Sequence, residues 1–474
     1  PVLERVNETS WHNSLPVNLE VWVSGGGNRV QDSPDAQTTR TTEGDWTTVR
    51  HSATQLAPAR FDELHAKGWP QTDVIQATTF QSWDEVLVWA TTLFEQPAQP
   101  SSAAYQTLLA ELRQHPTQAE QAMAALRWVQ REIRYVSLSL AENSHRPYAP
   151  DEVLGRRFGD CKDKSLLLSH LLRDLGLKAH PALMMQQNPK APSRVAPAPM
   201  FDHAVVAVWI DDQLHVMDAT LPEEVSSLAY LTPWHAGADL LVLDKATKGF
   251  VTAPLSAPLG FNRLTSNEAM TFQANGRSGM LNVEMVHEGV FADQTRWHLA
   301  RHGIEATKVH YLDEMRKRFP DAQWANEPEA LDEPATNTLT LKGSFTVGNP
   351  LKRAPNSRWR FEYFNGDVLD KLPVAGGIGR LNPLDLGPYK KQGILRRTVN
   401  LPAGWQANED GFDETIQHDV FEAKVRRTVD TASIADEWHL TIKNDRVELP
   451  DLPSYLEAVQ ALESTPTHMQ LRAP

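Results

Sequence analysis

"RRFGDCKDKSLLLSHLLRDLG", Arg156 to Gly176, decides how this chain reads, because it holds Cys161, the one cysteine among 474 residues. The stretch carries its own helix boundaries. With Asp160 as N-cap, Cys161 becomes the first helical residue and Asp163 the third, an Asp-x-x-Asp cap. Gly159 permits a sharp turn just before it, and Gly176 stands where a C-cap belongs. Leu168, Leu172 and Leu175 lie 7, 11 and 14 residues after Cys161. That spacing predicts that the sulfur sits on the buried side of the helix. A helix start carries unpaired N–H groups and partial positive charge, which favour a thiolate and can hold an oxyanion.

A thiolate nucleophile needs a base, and the base needs an orienting group. "FDHAVVAVWIDDQLHVMDAT", Phe201 to Thr220, contains both. If Asp211 and Asp212 form a two-residue hairpin loop, Asp218 opposes Val205, on the face of His203 and one diagonal step from it. A three-residue turn sends Asp218 to the other face. Against this stands the plain reading, in which a buried cysteine is a small inert hydrophobe.

Together, "RRFGDCKDKSLLLSHLLRDLGLKAHPALM" and "FDHAVVAVWIDDQLHVMDAT" resemble the bacterial transglutaminase-like superfamily, in the branch marked by "GDCKDK" ahead of a Leu-rich helix. "TTFQSWDEVLVWATTLF" resembles the junction that closes an upstream domain, and "IRYVSLSL" the strand entering the core. The resemblance implies an α+β fold: a papain-like core, with a Cys-bearing helix on an antiparallel sheet, flanked by β-sandwich-like domains. It implies Cys161 as nucleophile, His203 as general base and acid, and Asp218 as orienting carboxylate. The side-chain oxyanion donor of such cores lies upstream of the nucleophile. Tyr135, Ser137 and Tyr148 are the candidates, and packing roles compete for each. These cores perform amide crosslinking, deamidation and hydrolysis, and a triad does not choose among them.

The rest of the chain divides accordingly. Residues 1–95 read as a β-rich N-terminal domain, short enough to read as incomplete, with "VNLEVWV" alternating before "SGGGN" and ending in a helix capped by Ser82 and Glu85. Residues 100–245 read as the transglutaminase-like core, with a second capping box at Thr117 and Glu120 and an apolar stripe of Ala122, Leu126, Val129 and Ile133. Residues 250–474 read as a C-terminal β-rich domain interrupted by one long helix, roughly Ala292 to Arg318.

Composition removes several function classes. A formal net charge of −14 argues against a nucleic-acid partner. No window of 18 apolar residues marks a transmembrane segment. "SGGGNRV" and "AGGIGRL" lack the context of phosphate-binding loops, and the 17 histidines include no HExxH. No cofactor and no metal are therefore expected. His170 and His180 read as surface or supporting residues, and His215 as pointing off the catalytic face. The 14 tryptophans read as core aromatics. The loop at 186–200, with Pro189, Pro192, Pro197 and Pro199, is either a flap or an ordinary connection. A start without Met and with few cysteines is read as a trimmed, exported chain, periplasmic or extracellular. The function expected is a cysteine enzyme that acts on amide bonds of peptide or protein substrates through a thioester. The rival is a peptide-binding scaffold with an idle triad. Oligomeric state is open.

Overall fold

A computed structural model describes residues 5–15, 17–22, 37–53, 62–66, 74–137, 144–186, 189–190, 197–255, 262–274, 276–354, 358–363, 366, 372–374, 380, 382–387 and 390–474. The glycine runs at 24–28 and 375–379, and Pro192 of the loop at 186–200, lie outside the described residues. The chain forms two compact units. Unit 1 comprises Pro1–Glu224, His235–Leu255 and Ala375–Asp385, and unit 2 comprises Val225–Trp234, Ser256–Val374 and Leu386–Pro474.

Unit 1 begins with β1 (Arg5–His12), β2 (Asn18–Trp22), β3 (Gln37–Glu43), β4 (Trp46–Ala53) and β5 (Val74–Thr78). Strands β1, β4 and β3 form one antiparallel sheet and β2 pairs with β5. Three helices follow: α1 (Trp83–Glu95), α2 (Ala103–Leu112) and α3 (Gln118–Glu132). Ser82 accepts from Glu85 N at the start of α1, and Thr117 and Glu120 close a reciprocal capping box on α3. The α3 stripe Ala122, Leu126, Val129 and Ile133 is fully buried.

The part that positions the cysteine runs β6 (Arg134–Tyr135), α4 (Pro150–Arg156), β7 (Phe158–Gly159) and α5 (Cys161–Asp174). Both ends of α5 are fixed by local chemistry. Asp160 accepts from Asp163 N, and the Asp163 side chain returns the bond to the Asp160 backbone. At the other end Leu177 N bonds Leu172 O and Gly176 N bonds Arg173 O, a Schellman motif that needs the left-handed φ of +88° at Gly176.

Five antiparallel strands then complete the unit's main sheet, in the order β10-β9-β8-β11-β12. They are β8 (Lys178–Met184), β9 (His203–Ile210), β10 (Gln213–Met217), β11 (Asp239–Val242) and β12 (Val251–Thr252). Val205, Ala207, Ala182 and Val242 share one apolar cluster, and Leu166 of α5 packs with Leu241, Leu243, Val86 and Phe94 in another. The helix is covered from Lys162 through Leu172, so it is a central element rather than a one-sided one. His170 is buried with it, and burial pushes its pKa down to about 4. The sequence reading of His170 as a surface or supporting residue is corrected in its surface half, because α5 has no solvent face at that turn. A return strand, β19 in chain order (Leu384–Asp385), bridges to His65.

Unit 2 supplies the strands between and after. These are β13 (Asn262–Phe272), β14 (Ser278–Glu288), β15 (Gln323–Glu333), β16 (Thr338–Gly348), β17 (Leu351–Arg353), β18 (Trp359–Glu362), β20 (Lys391–Asn400), β21 (Gln406–Ala407), β22 (Phe412–His418), β23 (Phe421–Val429), β24 (Ser433–Ile442), β25 (Arg446–Val447) and β26 (His468–Arg472). Eight form one sheet, β15-β16-β14-β13-β20-β24-β23-β22, and β17-β18-β26-β21 form a second. Met270, Leu281, Phe345, Phe361 and Leu471 meet in its core. The long helix is α6 (Val290–Arg318), interrupted by a non-helical Gly303, and α7 (Leu452–Glu463) follows near the end. The fold is α+β, with a helix-on-sheet core in unit 1 and large β-rich sheets in unit 2.

Candidate active site

The three residues singled out by sequence reach one place by three different local devices. Cys161 is held at the first position of α5 by the Asp160–Asp163 box. Gly159 has to be glycine for close approach, since an added Cβ lies 2.7 Å from Asp163 Cβ. His203 opens β9. Asp218 follows β10, whose register is set by the turn. Asp211 and Asp212 take φ of +51° and +60°, and Gln213 faces Ile210, so the loop has two residues. Met217 faces Val206, which carries Asp218 to the level of Val205. Asp218 Oδ2 lies 2.8 Å from His203 Nε2. A hydrogen bond from Ser165 Oγ to Ala204 O, 2.9 Å, ties α5 to β9 beside the histidine.

With Nε2 taken by Asp218, Nδ1 is the ring nitrogen left for Cys161, which acts on the protonation of this ring. Burial opposes a charge on the ring. The bond to Asp218 and the negative charge of Asp218 and Cys161 outweigh it and raise His203 to about 10. Burial likewise opposes the Asp218 carboxylate, yet donors from His203 and His235 hold it well below the usual carboxylate range. A buried imidazolium next to a thiol is the electrostatic arrangement that nucleophilic cysteine chemistry requires.

Residues 103–242 match the family described as transglutaminase-like domain. This segment is a transglutaminase-like domain. A solved structure from Parabacteroides distasonis, described as a "putative protease", is 10% identical, with a TM-score of 0.58 over 99% of this chain and 72% of that one. A "putative cysteine protease" from Cytophaga hutchinsonii is 18% identical over 47% of this chain and 68% of its own, with a TM-score of 0.22. The periplasmic domain of TgpA from Pseudomonas aeruginosa, bound to ethylmercury, is 19% identical over 46% and 72%, with a TM-score of 0.19. At these identities the first likeness is one of fold, and the other two carry no argument. No match is found among curated proteins.

Inside the transglutaminase-like domain, other residues gather that the sequence did not single out. His235 Nε2 also lies 2.8 Å from Asp218 Oδ2, while Thr220 N and Oγ1 sit 2.8 and 2.7 Å from Oδ1. Gln130 of α3 donates to Asp218 O at 2.9 Å and accepts from Glu224 N at 2.7 Å, which anchors the backbone on both sides of Thr220. Lys164 is buried one turn into α5, its Nζ 2.5 Å from Ile133 O, and burial lowers its pKa to about 8. Only Thr220, two residues from Asp218 and able to cap it, carried a local signal.

Of the three oxyanion-donor candidates, the β6–β7 pairing puts Tyr135 opposite Gly159, two residues from Cys161. Burial and then the charge of Cys161 raise the Tyr135 phenol. Ser137 acts in the opposite direction on the same phenol. Tyr148 is stacked under Arg156 at 3.9 Å. His180 is half-buried, 3.9 Å from Asp244. His215 is buried opposite Val208, on the strand side away from Leu214 and Val216. His203, His235 and Asp218 place potential metal-ligand atoms within 4.8 Å of one another. Zinc ligands at about 2.0–2.2 Å from an ion stand more than 3 Å apart, so the 2.8 Å N–O separations fit hydrogen bonds better. Among the described residues, no helix is long and apolar enough to cross a membrane.

Proposed function

We propose that this protein is a cysteine enzyme that opens amide bonds of peptide or protein substrates through a thioester at Cys161. The observation that carries the reading is the His203 ring bonded to Asp218 through Nε2 at 2.8 Å, with Cys161 near enough to act on the protonation of the same ring. Cys161 thiolate adds to the amide carbon, and the carbonyl electrons move to oxygen. The first-turn N–H groups of α5 receive that oxyanion, with Tyr135 as the candidate side-chain donor. The C–N bond breaks as imidazolium His203 gives its proton to the departing amine, which leaves the acyl group on sulfur. Water or a second amine then attacks the thioester. Neutral His203 accepts its proton, and the thiolate leaves. Asp218 keeps Nε2 protonated and the ring oriented throughout.

This chemistry needs no cofactor. In this reading the segment 100–245 is the catalytic domain, and the β-rich stretches 1–95 and 250–474 flank it. The proposal also keeps the expected periplasmic or extracellular location, which cell fractionation checks. The test is incubation with a peptide mixture containing glutamine and an amine donor, read by mass spectrometry. Cleavage, deamidation or amine adducts that vanish in Cys161→Ser support the reading and name the reaction. Products equal in both proteins, or none from either across a broad peptide set, favour the scaffold.

A further inference from the structure

Asp218 does not serve one histidine. Its Oδ2 receives His203 and His235 at the same 2.8 Å distance, and its Oδ1 receives two donors from Thr220. A carboxylate offers about four lone-pair positions, and here all four are used. The two rings stand 5.6 Å apart at an interplanar angle of 51°, so they approach the oxygen from different directions rather than stacking. His235 comes from the irregular segment before β11, held by Ala238 N bonding His235 O at 3.0 Å and Gly237 N bonding Ala253 O. Its side chain is 8% exposed, and that of Asp218 2%.

We infer that His235 is a positioning residue of the Cys161 centre: it shares the Asp218 oxygen with His203, fixing the carboxylate and limiting how tightly it retains the His203 proton. The inference rests on the cysteine-enzyme reading for its use, but not for its geometry. An acceptor divided among four donors is less basic than one with three. A cation on both rings at 5.6 Å is also unfavourable. Loss of His235 therefore strengthens the hold of Asp218 on its remaining imidazole. The other titratable groups that feel the Asp218 charge are Lys164 from α5 and Tyr135 next to α5, and Cys161 acts on the same His203 ring.

The experiment follows the His203 ring by ¹⁵N NMR of histidine-labelled full-length chain across pH, with the signal assigned through His203→Gln. His235→Phe keeps the ring bulk and removes the donor. His235→Gln keeps an N–H donor and acts as the rescue variant. The expected result is an upward move of the His203 midpoint by about 0.5 pH unit or more in His235→Phe, with His235→Gln near wild type. An unchanged midpoint in His235→Phe, with only thermal stability altered, overturns the inference. So does stoichiometric zinc binding lost on His235→Phe, which makes these residues ligands instead. The NMR readout needs no substrate. A midpoint shift without any peptide turnover retires the enzyme reading alone, and turnover without a shift retires the role of His235 alone.

Discussion

Each unit buries an ionic cluster, and the two are built from different cations. In unit 2, Arg427 clasps Asp436 with two bonds of 2.7 and 2.9 Å, both side chains 1% exposed, while Glu409, Tyr363 and His468 O complete the set. Burial disfavours the Arg427 charge, but Asp436, Tyr363 and Glu409 raise its pKa further above a range that is already out of reach. In unit 1 the corresponding carboxylate, Asp218, faces two imidazoles. A guanidinium does not release its proton in a protein, whereas an imidazole can. The first cluster therefore fixes structure and the second can move a proton. Both carboxylates are buried and bonded through both oxygens, Asp436 to three donors and Asp218 to four. In the proposed reading, the identity of the cation separates a structural cluster from a chemical one.

Mutations in the two clusters should break in different ways. The largest effect is expected from His203→Ala, which lowers peptide turnover by about 10³-fold, with circular dichroism unchanged. Arg427→Met leaves Asp436 buried without its cation, and urea unfolding should show a loss of about 3–5 kcal/mol, with Cys161 reactivity retained. If Arg427→Met slows Cys161 chemistry as much as it lowers stability, the contrast between the clusters fails.

The pH dependence sharpens the same contrast. His203 is raised to about 10, so its contribution to stability is complete below the unfolded value of about 6.5 and is lost as pH climbs towards 10. Asp218 is lowered, so its share is present above about 3.9 and is lost as pH falls further. Urea midpoints should therefore decline on the alkaline side in wild type, and His203→Gln should flatten that limb. An alkaline limb identical in both proteins would place the proton elsewhere. Gly159→Ala forces its Cβ within 2.7 Å of Asp163 Cβ and should destabilise by about 1–3 kcal/mol. Smallest is Ser82→Ala, about 1 kcal/mol by thermal unfolding, because that cap is partly exposed and carries no cluster.

What the sequence discloses follows from how local the governing forces are. Both ends of α5 and the hairpin register are written in adjacent residues: Asp160 with Asp163, Gly176, and the Asp211–Asp212 pair. The placement of His203 beside Asp218 follows from them. His235 is invisible at that level, since its approach depends on an irregular segment with no period to read. The edge strand β15 is missed because it is polar, contains Pro328 and shifts register twice around Asn326. The break of α6 at Gly303, φ +79°, is legible only as a glycine inside a helical pattern. His170 shows the remaining gap. Apolar spacing finds one buried face, but it cannot tell when a helix is enclosed on every side.

The central claim is that Cys161 works as a nucleophile through His203, and the single cysteine makes it directly measurable. The measurement is the rate of alkylation by iodoacetamide at neutral pH in folded wild type and in His203→Ala, read as intact mass. Rapid modification in wild type, slowed by about tenfold or more without the imidazole, is the predicted result. Equally slow rates in the two proteins would contradict it.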